Sequence, residues 1–363
     1  MKICFVSIFA YSLFNPNNTT PFGGSEVQLY QIAKKLAQNK KNKISFLVGD
    51  FGQKPIKIYH RIKVIKTLRP TESAIKYLIG IYQQLKFLIK LYQNKPKIII
   101  QRAAGIETGL IGLYCKLFHK KFIYMVASSI DTDKNYRHLK PLLGIFYEFG
   151  LKHASVIICQ NRDQQLNLKK YYHLESKIIK NSFTIPARIS INKNGILWVG
   201  TAQPLKQPQI FLNLAKTLPQ YKFTIIIPKH NLKLWNDILQ QSKSIPNLKF
   251  VEKVPFKKIN QYFAKAKLFI NTSTYEGFPN TFVQATMNST PIISLNVNPD
   301  KFLNKYNCGY CADGSLQKLT QYTKKLLTNK KLWPKMSHNA YQYAKKNHDI
   351  NKNVYQLTKL LVL

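Results

Sequence analysis

Short apolar runs recur along this chain, separated by stretches of helix-like periodicity, and that alternation constrains the fold more than any other feature. "KICFVSI", "KISFLVG", "KIIIQ", "KFIYMVA" and "ASVIICQ" are rich in β-branched residues and have the length of buried strands. Helical patterns lie between them at about 24–39, 73–93, 106–118, 139–152 and 163–172. The series restarts with "GILWVG" and continues through "KFTIIIP", "LKFVE", "KLFIN" and "PIISL". Strands that are apolar throughout, joined by helical crossovers, predict parallel sheets covered on both faces. Two such series predict an α/β chain of two doubly wound domains. Their boundary falls in "NSFTIPARISINKNG", where the pattern lapses around Pro186. The expected division is 1–188, then 189–346, with a C-terminal helix in 347–363 packing back toward the first domain. At 363 residues the chain can bury two cores of ordinary size.

Open α/β sheets take their ligands beyond the carboxyl ends of the strands, so those ends come first. "KLFIN" leads into "TSTYEGFPNTFVQA". Pro279 suits a first helical position, which leaves the amides of Asn280, Thr281 and Phe282 without intrahelical partners, a ready phosphate site. Glu276 would repel that phosphate but suits hydroxyls attached beyond it, as on a sugar. Gln284 lies a turn further on and leans back toward the helix start.

The charge balance is lopsided: 56 Lys and Arg against 15 Asp and Glu, a net +41. Such a field attracts anionic membranes, nucleic acid or phosphorylated substrates. Almost all of it is lysine, however, and no arginine follows Arg188. Readers of nucleic acid favour arginine's fork, so nucleic acid is not the expected partner. Cys4, Cys115, Cys159, Cys308 and Cys311 form an odd, scattered set that fits a reducing compartment. The Cys308/Cys311 pair has no second pair or histidines to complete a zinc shell, so these are expected as core cysteines. The apolar start, "MKICFVSIFAYSLF", lacks a small-x-small cleavage site and reads as a first strand. No G-x-G-x-x-G follows it, and no G-x-x-x-x-G-K-[ST], G-x-S-x-G or H-E-x-x-H occurs, which argues against nicotinamide, P-loop, serine-hydrolase and zincin chemistry.

"EGFPNTFVQA" resembles the donor-binding segment of glycosyltransferase family 4, retaining enzymes whose two Rossmann-like domains face a central cleft (the GT-B architecture). "GGSEVQLYQIAKKLAQ" resembles that family's glycine loop and first helix, and "ILWVGTAQPLKQPQIFLNLAKTLP" the opening of its second domain. The likeness in order and spacing spans nearly the whole chain. It implies a nucleotide-diphosphate sugar as donor and a glycan or lipid-linked molecule as acceptor, with no metal or other cofactor. By that resemblance Glu276 contacts the sugar and Lys206 the diphosphate. Gly200, Thr201, Gln203, Gly277, Phe278, Pro279, Asn280 and Thr281 line the donor, and Gln284 meets the ribose. Gly23 and Gly24 let backbone amides approach diphosphate or acceptor. Arg102 and Asp131 sit at strand ends of the first domain, expected to hold the acceptor. Glu26 either complements its helix dipole or touches the acceptor.

Three positions depart from the family's pattern. The arginine usual after the "WVG" glycine is absent, with Thr201 and Gln203 at the nearest positions. The second glutamate of the motif is Gln284, and a histidine at the end of "YMVA" is replaced near Ala127. These departures keep open a second reading, a nucleotide-sugar or glycan-binding protein without turnover. "DTD" at 131–133 resembles the metal motif of single-domain glycosyltransferases, but a metal is not expected here.

One helix carries a further option. In "SAIKYLIGIYQQLKFLIKLYQNK", Leu78, Ile81, Tyr82, Leu85, Leu88, Ile89 and Tyr92 recur at helical spacing beside Lys76, Lys86, Lys90 and Lys95. A basic amphipathic helix can lie on an anionic bilayer; packing of the stripe onto the sheet is the preferred reading. The expected location is cytoplasmic, with a peripheral position on the inner face of the membrane as the variant that this helix allows.

Overall fold

The structure, a computed structural model, describes residues 1–18, 20–67, 76–188 and 192–362, with the backbone alone for 76–81. The chain divides into two compact units, Met1–Ser182 with Ile350–Leu363, and Phe183–Asp349.

The first unit is built on an eight-stranded sheet in the order β3-β4-β2-β1-β5-β6-β7-β8. Its strands are β1 (Lys2–Val6), β2 (Lys43–Val48), β3 (Ile56–Tyr59), β4 (Ile62–Lys66), β5 (Ile98–Arg102), β6 (Lys121–Met125), β7 (Val156–Cys159) and β8 (Lys177–Ile178). All pairings are parallel except β3 with β4. Side chains alternate across the sheet, as the strand period of two requires. Ile3 and Phe5 join one core with Leu29, Leu36, Leu357 and Leu361, while Cys4 and Val6 join the other with Phe87, Leu91, Ile111 and Tyr147. The last helix, Ile350–Val362, therefore covers the same face as the Gly24–Ala37 helix, and Asn353 donates to the Lys180 carbonyl at 3.0 Å. The two places where the chain passes between units adjoin, since Phe183 forms a parallel bridge with Asp349.

The helix from Lys76 to Asn94 turns a different face inward from the one its apolar stripe suggests. Phe87 and Leu91 are fully buried, Leu88 packs partly against the core, and Asn94 donates to Ser45 Oγ at 2.7 Å. Tyr82, Leu85, Ile89 and Tyr92 point to solvent. Phe87, Leu91 and Asn94 form their own i, i+4, i+7 row, and that row won the sheet. The side chains of Leu78 and Ile81 lie outside the described residues.

The second unit has six parallel strands in the order β11-β10-β9-β12-β13-β14. They are β9 (Ile196–Val199), β10 (Phe223–Ile226), β11 (Leu248–Val251), β12 (Leu268–Asn271), β13 (Ile292–Ser294) and β14 (Gly309–Cys311). One face packs Trp198, Phe211, Phe223 and Ile270. On the other, ring contacts run from Phe263 to Phe269 (5.3 Å), Phe282 (6.4 Å) and Phe302 (5.6 Å). Lys193 ties this side together: its ammonium donates to the carbonyls of Ala264 and Asn288, both at 2.7 Å, and to Thr290 Oγ1 at 2.9 Å. Burial pushes this lysine down to about 8, and its carbonyl cage fixes the far end of the Asn280–Met287 helix. The five cysteines are buried free thiols.

In both sheets the strand order reverses once, between β1 and β5 and between β9 and β12. The crevice above such a reversal is where doubly wound sheets bind ligands.

Candidate active site

The loops after β9 and β12 meet above the second reversal. After β9 the chain runs through Gly200 to a short 3-10 turn, Pro204–Lys206, and Gln207 takes a left-handed conformation (φ 45°) before the Pro208–Thr217 helix. After β12, Thr272 stitches the loops together: Trp198 Nε1 donates to its Oγ1 at 2.9 Å, and that hydroxyl donates to the Lys206 carbonyl at 2.6 Å. The Thr274 amide donates to the Leu205 carbonyl at 2.9 Å. At Gly200 a Cβ would stand 2.8 Å from the Trp198 ring, so glycine is the residue that fits the approach.

These bonds place Lys206 Nζ 2.9 Å from Glu276 Oε1, with side chains 20% and 17% exposed. The same carboxylate oxygen accepts from Ser273 Oγ at 2.7 Å and Asn271 Nδ2 at 3.2 Å. Glu276 is thus oriented from below by residues of its own strand end, and it shares a half-open site with one cation. Such a pair can hold a ligand bearing hydroxyls and a neighbouring anion, the carboxylate accepting from the first and the ammonium pairing with the second.

The turn that follows corrects two expectations. Pro279 is the cap of the Asn280–Met287 helix (φ −59°, ψ 132°) rather than its first residue, and its carbonyl accepts from the Phe282 amide at 3.0 Å. Proline's fixed φ suits either position. The Phe282 amide is accordingly taken up within the helix start, while Thr281 lies in the first turn, where helix geometry supplies no carbonyl. The Phe278 ring turns into the aromatic core, 5.2 Å from Phe302 and 4.9 Å from His348. It anchors the turn in that core. Gln284 is buried and donates from Nε2 to Asn260 Oδ1 at 3.2 Å. Thr201 and Gln203 are half-buried in the loop after β9, and the Gln203 amide donates to the Thr201 carbonyl at 2.8 Å.

In the first unit the predicted residues are placed differently. Gly23 precedes the Gly24–Ala37 helix, and its amide donates to Glu26 Oε2 at 2.8 Å. Glu26 also accepts from Ser25 Oγ at 2.9 Å and, through Oε1, from Ser7 Oγ at 3.3 Å. It works as a helix-capping carboxylate tied to the end of β1. Arg102, at the end of β5, is 6% exposed and donates to Asn181 Oδ1 at 2.8 Å. Burial lowers its guanidinium to about 10, against the pull of Asp131.

Asp131, 3% exposed, accepts at Oδ2 from the amides of Ala127 (2.9 Å) and Ser128 (3.0 Å) and from Tyr124 Oη (3.4 Å). Burial pushes its carboxyl up to about 6, opposed by those hydrogen bonds and Arg102. Asp133 accepts from Asn135 instead, so the two carboxylates of "DTD" serve separate turns. Arg102 and Asp131 are thus built into the fold rather than presented at a surface.

Sequence reasoning missed Asn271, Ser273 and Asn260. The signal was present in part, because Asn271 and Ser273 flank the end of "KLFIN", but only the tertiary fold brings them onto Glu276.

Residues 183–347 match the family described as Glycosyl transferases group 1. A curated relative, the amylovoran biosynthesis glycosyltransferase AmsD of Erwinia amylovora, is 24% identical over 307 residues, covering 83% of this chain and 80% of the relative. Among solved structures, sucrose-phosphate synthase from Thermosynechococcus elongatus superposes with a TM-score of 0.79 at 12% identity, over 99% of this chain and 97% of that one. A TarM variant from S. aureus, in complex with fondaparinux, α-GlcNAc-glycerol and UDP, gives 0.64 at 14% identity, over 77% of this chain and 59% of that one. At such identities the structural likeness speaks for the fold. The family match covers nearly all of the second unit and contains both Lys206 and Glu276. The match to glycosyl transferases group 1 thus falls on the second unit, and the fold of the chain is of the GT-B type.

Proposed function

We propose that this protein moves a hexose from a nucleotide-diphosphate sugar to a glycan or lipid-linked acceptor, with retention at the anomeric carbon. The observation that carries the reading is the Lys206–Glu276 pair, 2.9 Å apart where the strand order reverses. Glu276, steadied by Ser273 and Asn271, accepts from sugar hydroxyls and sets the sugar's orientation. Lys206 leaves its carboxylate partner and meets the diphosphate, whose negative charge grows as the anomeric bond breaks. Stabilising that charge from a fixed position is the largest contribution a protein makes to such a reaction. The backbone of Gly277–Thr281 lines the donor, and Gln284 meets the ribose. The acceptor hydroxyl attacks from the face the diphosphate leaves, and a phosphate oxygen takes its proton. Acceptor contacts fall to the Gly23–Gly24 loop rather than to the buried Arg102 and Asp131. UDP in the TarM complex makes uridine sugars the first donors to try.

A second reading, sugar-nucleotide binding without turnover, is favoured by one observation: Gln284 is neutral and already bonded to Asn260. A thermal-shift panel of UDP-, GDP- and ADP-sugars, followed by donor hydrolysis and transfer assays, decides between them. A true donor at 100 times its dissociation constant stabilises the protein by about 2.7 kcal/mol. Lys206→Ala and Glu276→Ala should abolish that shift and lower turnover by roughly 10²–10³. Stabilisation without turnover leaves the binding reading standing, and an unchanged response in both variants removes this site from either.

A further inference from the structure

Three helices of the first unit, Lys76–Asn94, Ile106–Leu117 and Pro141–Lys152, lie side by side over one face of its sheet. Each has an inner row that fills the core. Each also carries large apolar residues on its outer side, where no core remains to be filled. Tyr82 (66% exposed), Leu85, Ile89 and Tyr92 project from the first. Leu113 and Leu117 (63%) project from the second, and Leu142 (72%), Ile145 and Phe146 from the third. The rows adjoin: Phe118, just past the second helix, packs its ring 5.3 Å from Tyr92. The second and third helices approach so closely that a Cβ on Gly112 would stand 2.7 Å from the Gly150 Cα. Isolated apolar residues on a surface need no explanation, but a contiguous patch marks an interaction site.

The charges around this patch indicate what covers it. Lys86, Lys90, Lys95, Lys116, Lys140 and Lys152 stand on or beside the three helices. The only carboxylates in them are Glu107, half-buried in its first turn, and Glu148, paired with Arg137 at 2.6 Å. A hollow lined by Lys134, Arg137, His138, Pro141 and Glu148 adjoins the exposed Leu142. A protein partner would need a matching acidic rim around an apolar centre. An anionic bilayer supplies both over any area, and Tyr and Lys are the side chains that settle at its headgroup level. No described helix is long and apolar enough to cross a membrane, so the contact is an interfacial one.

We propose that this three-helix face docks the first unit on an anionic lipid surface, apolar residues entering the headgroup boundary and the lysines pairing with lipid phosphates. The proposal does not depend on the transfer chemistry. Each basic residue near an anionic surface strengthens binding by roughly fivefold.

Flotation of the full-length protein with phosphatidylcholine vesicles, and with vesicles of phosphatidylcholine and phosphatidylglycerol in equal parts, tests it. Binding is expected to the mixed vesicles alone and to weaken as salt is raised. The double variants Leu85→Glu/Ile89→Glu and Leu142→Glu/Ile145→Glu should each lower it at least tenfold. Their melting temperatures should stay put, because all four side chains point outward. Absence of wild-type binding overturns the proposal, as do variants that float as well as wild type. So does a dimer in sedimentation velocity that the variants dissolve while vesicle binding persists unchanged.

Discussion

At the carboxyl end of the second unit's sheet, Lys206 and Glu276 are half open to solvent and paired with each other. At the same end of the first unit's sheet, Arg102 and Asp131 are buried, Arg102 bonded to Asn181 and Asp131 held by the amides of its own turn. Each sheet reverses its strand order once, yet the charges at the strand ends near the reversal have opposite fates. Where neighbouring strand-end loops bond to each other's backbone, as Thr272 does to Lys206, the ionic side chains pair with each other in a partly exposed position. Where the loop folds back over the strand end, as residues 127–131 do, the carboxylate is consumed in closing it. A charged residue at a strand end is therefore a site only if the loop has not already used it.

The comparison breaks first at Arg102. Replacing it with Met should cost about 3–5 kcal/mol, as removal of one buried charge leaves its surroundings uncompensated. Lys206→Ala should shift stability by under about 1 kcal/mol, because its pair is partly solvated. Denaturant titrations of both variants check this, and equal losses would erase the distinction between the loops.

Asp131 gives the next largest effect. Its folded carboxyl titrates near about 6, above the ordinary value of about 4. The native state thus favours the protonated form. Its stabilising contribution is complete below about pH 4 and is lost as the pH rises through 6, a change on the order of 2–3 kcal/mol. Asp131→Asn should flatten unfolding free energy across that window, as read by denaturant titrations at its two ends.

Gln284→Glu probes the smallest difference. It exchanges the bond to Asn260 for a charged acceptor, and a charged acceptor is worth about 1 kcal/mol over a neutral one. Donor affinity measured by calorimetry should rise by up to about tenfold if the ribose lies there, and should stay unchanged if it does not.

Much of this architecture was legible in the sequence. The ten apolar runs became strands because uninterrupted β-branched segments have no other low-cost placement in a doubly wound chain. The β3–β4 hairpin was not legible. Its turn is His60–Arg61, both at positive φ (49° and 65°), where the recognisable signal is Asn-Gly. The stripe on the Lys76–Asn94 helix misled for a related reason. Periodicity reports that a face is apolar but not which of two apolar faces meets the sheet. At the site, the resemblance assigned Glu276 and Lys206 to one donor without setting the distance between them. Their proximity, and the support from Ser273 and Asn271, depend on β9 lying beside β12, a neighbourhood that strand patterns do not encode.

The first unit is discontinuous, with the helix Ile350–Val362 closing a core begun by Ile3 and Phe5. On a ribosome this reverses the order of completion. The second unit is one uninterrupted stretch and can shut its core as soon as Asp349 has emerged. The strands made earliest, and the helix that carries Leu29, Ile32 and Leu36, meanwhile wait without this cover for roughly 10–30 s of synthesis at about 5–20 residues per second. Translation speed through 183–349, and any chaperone that shelters a nascent apolar sheet during that interval, therefore bear on the yield of the half that is encoded first.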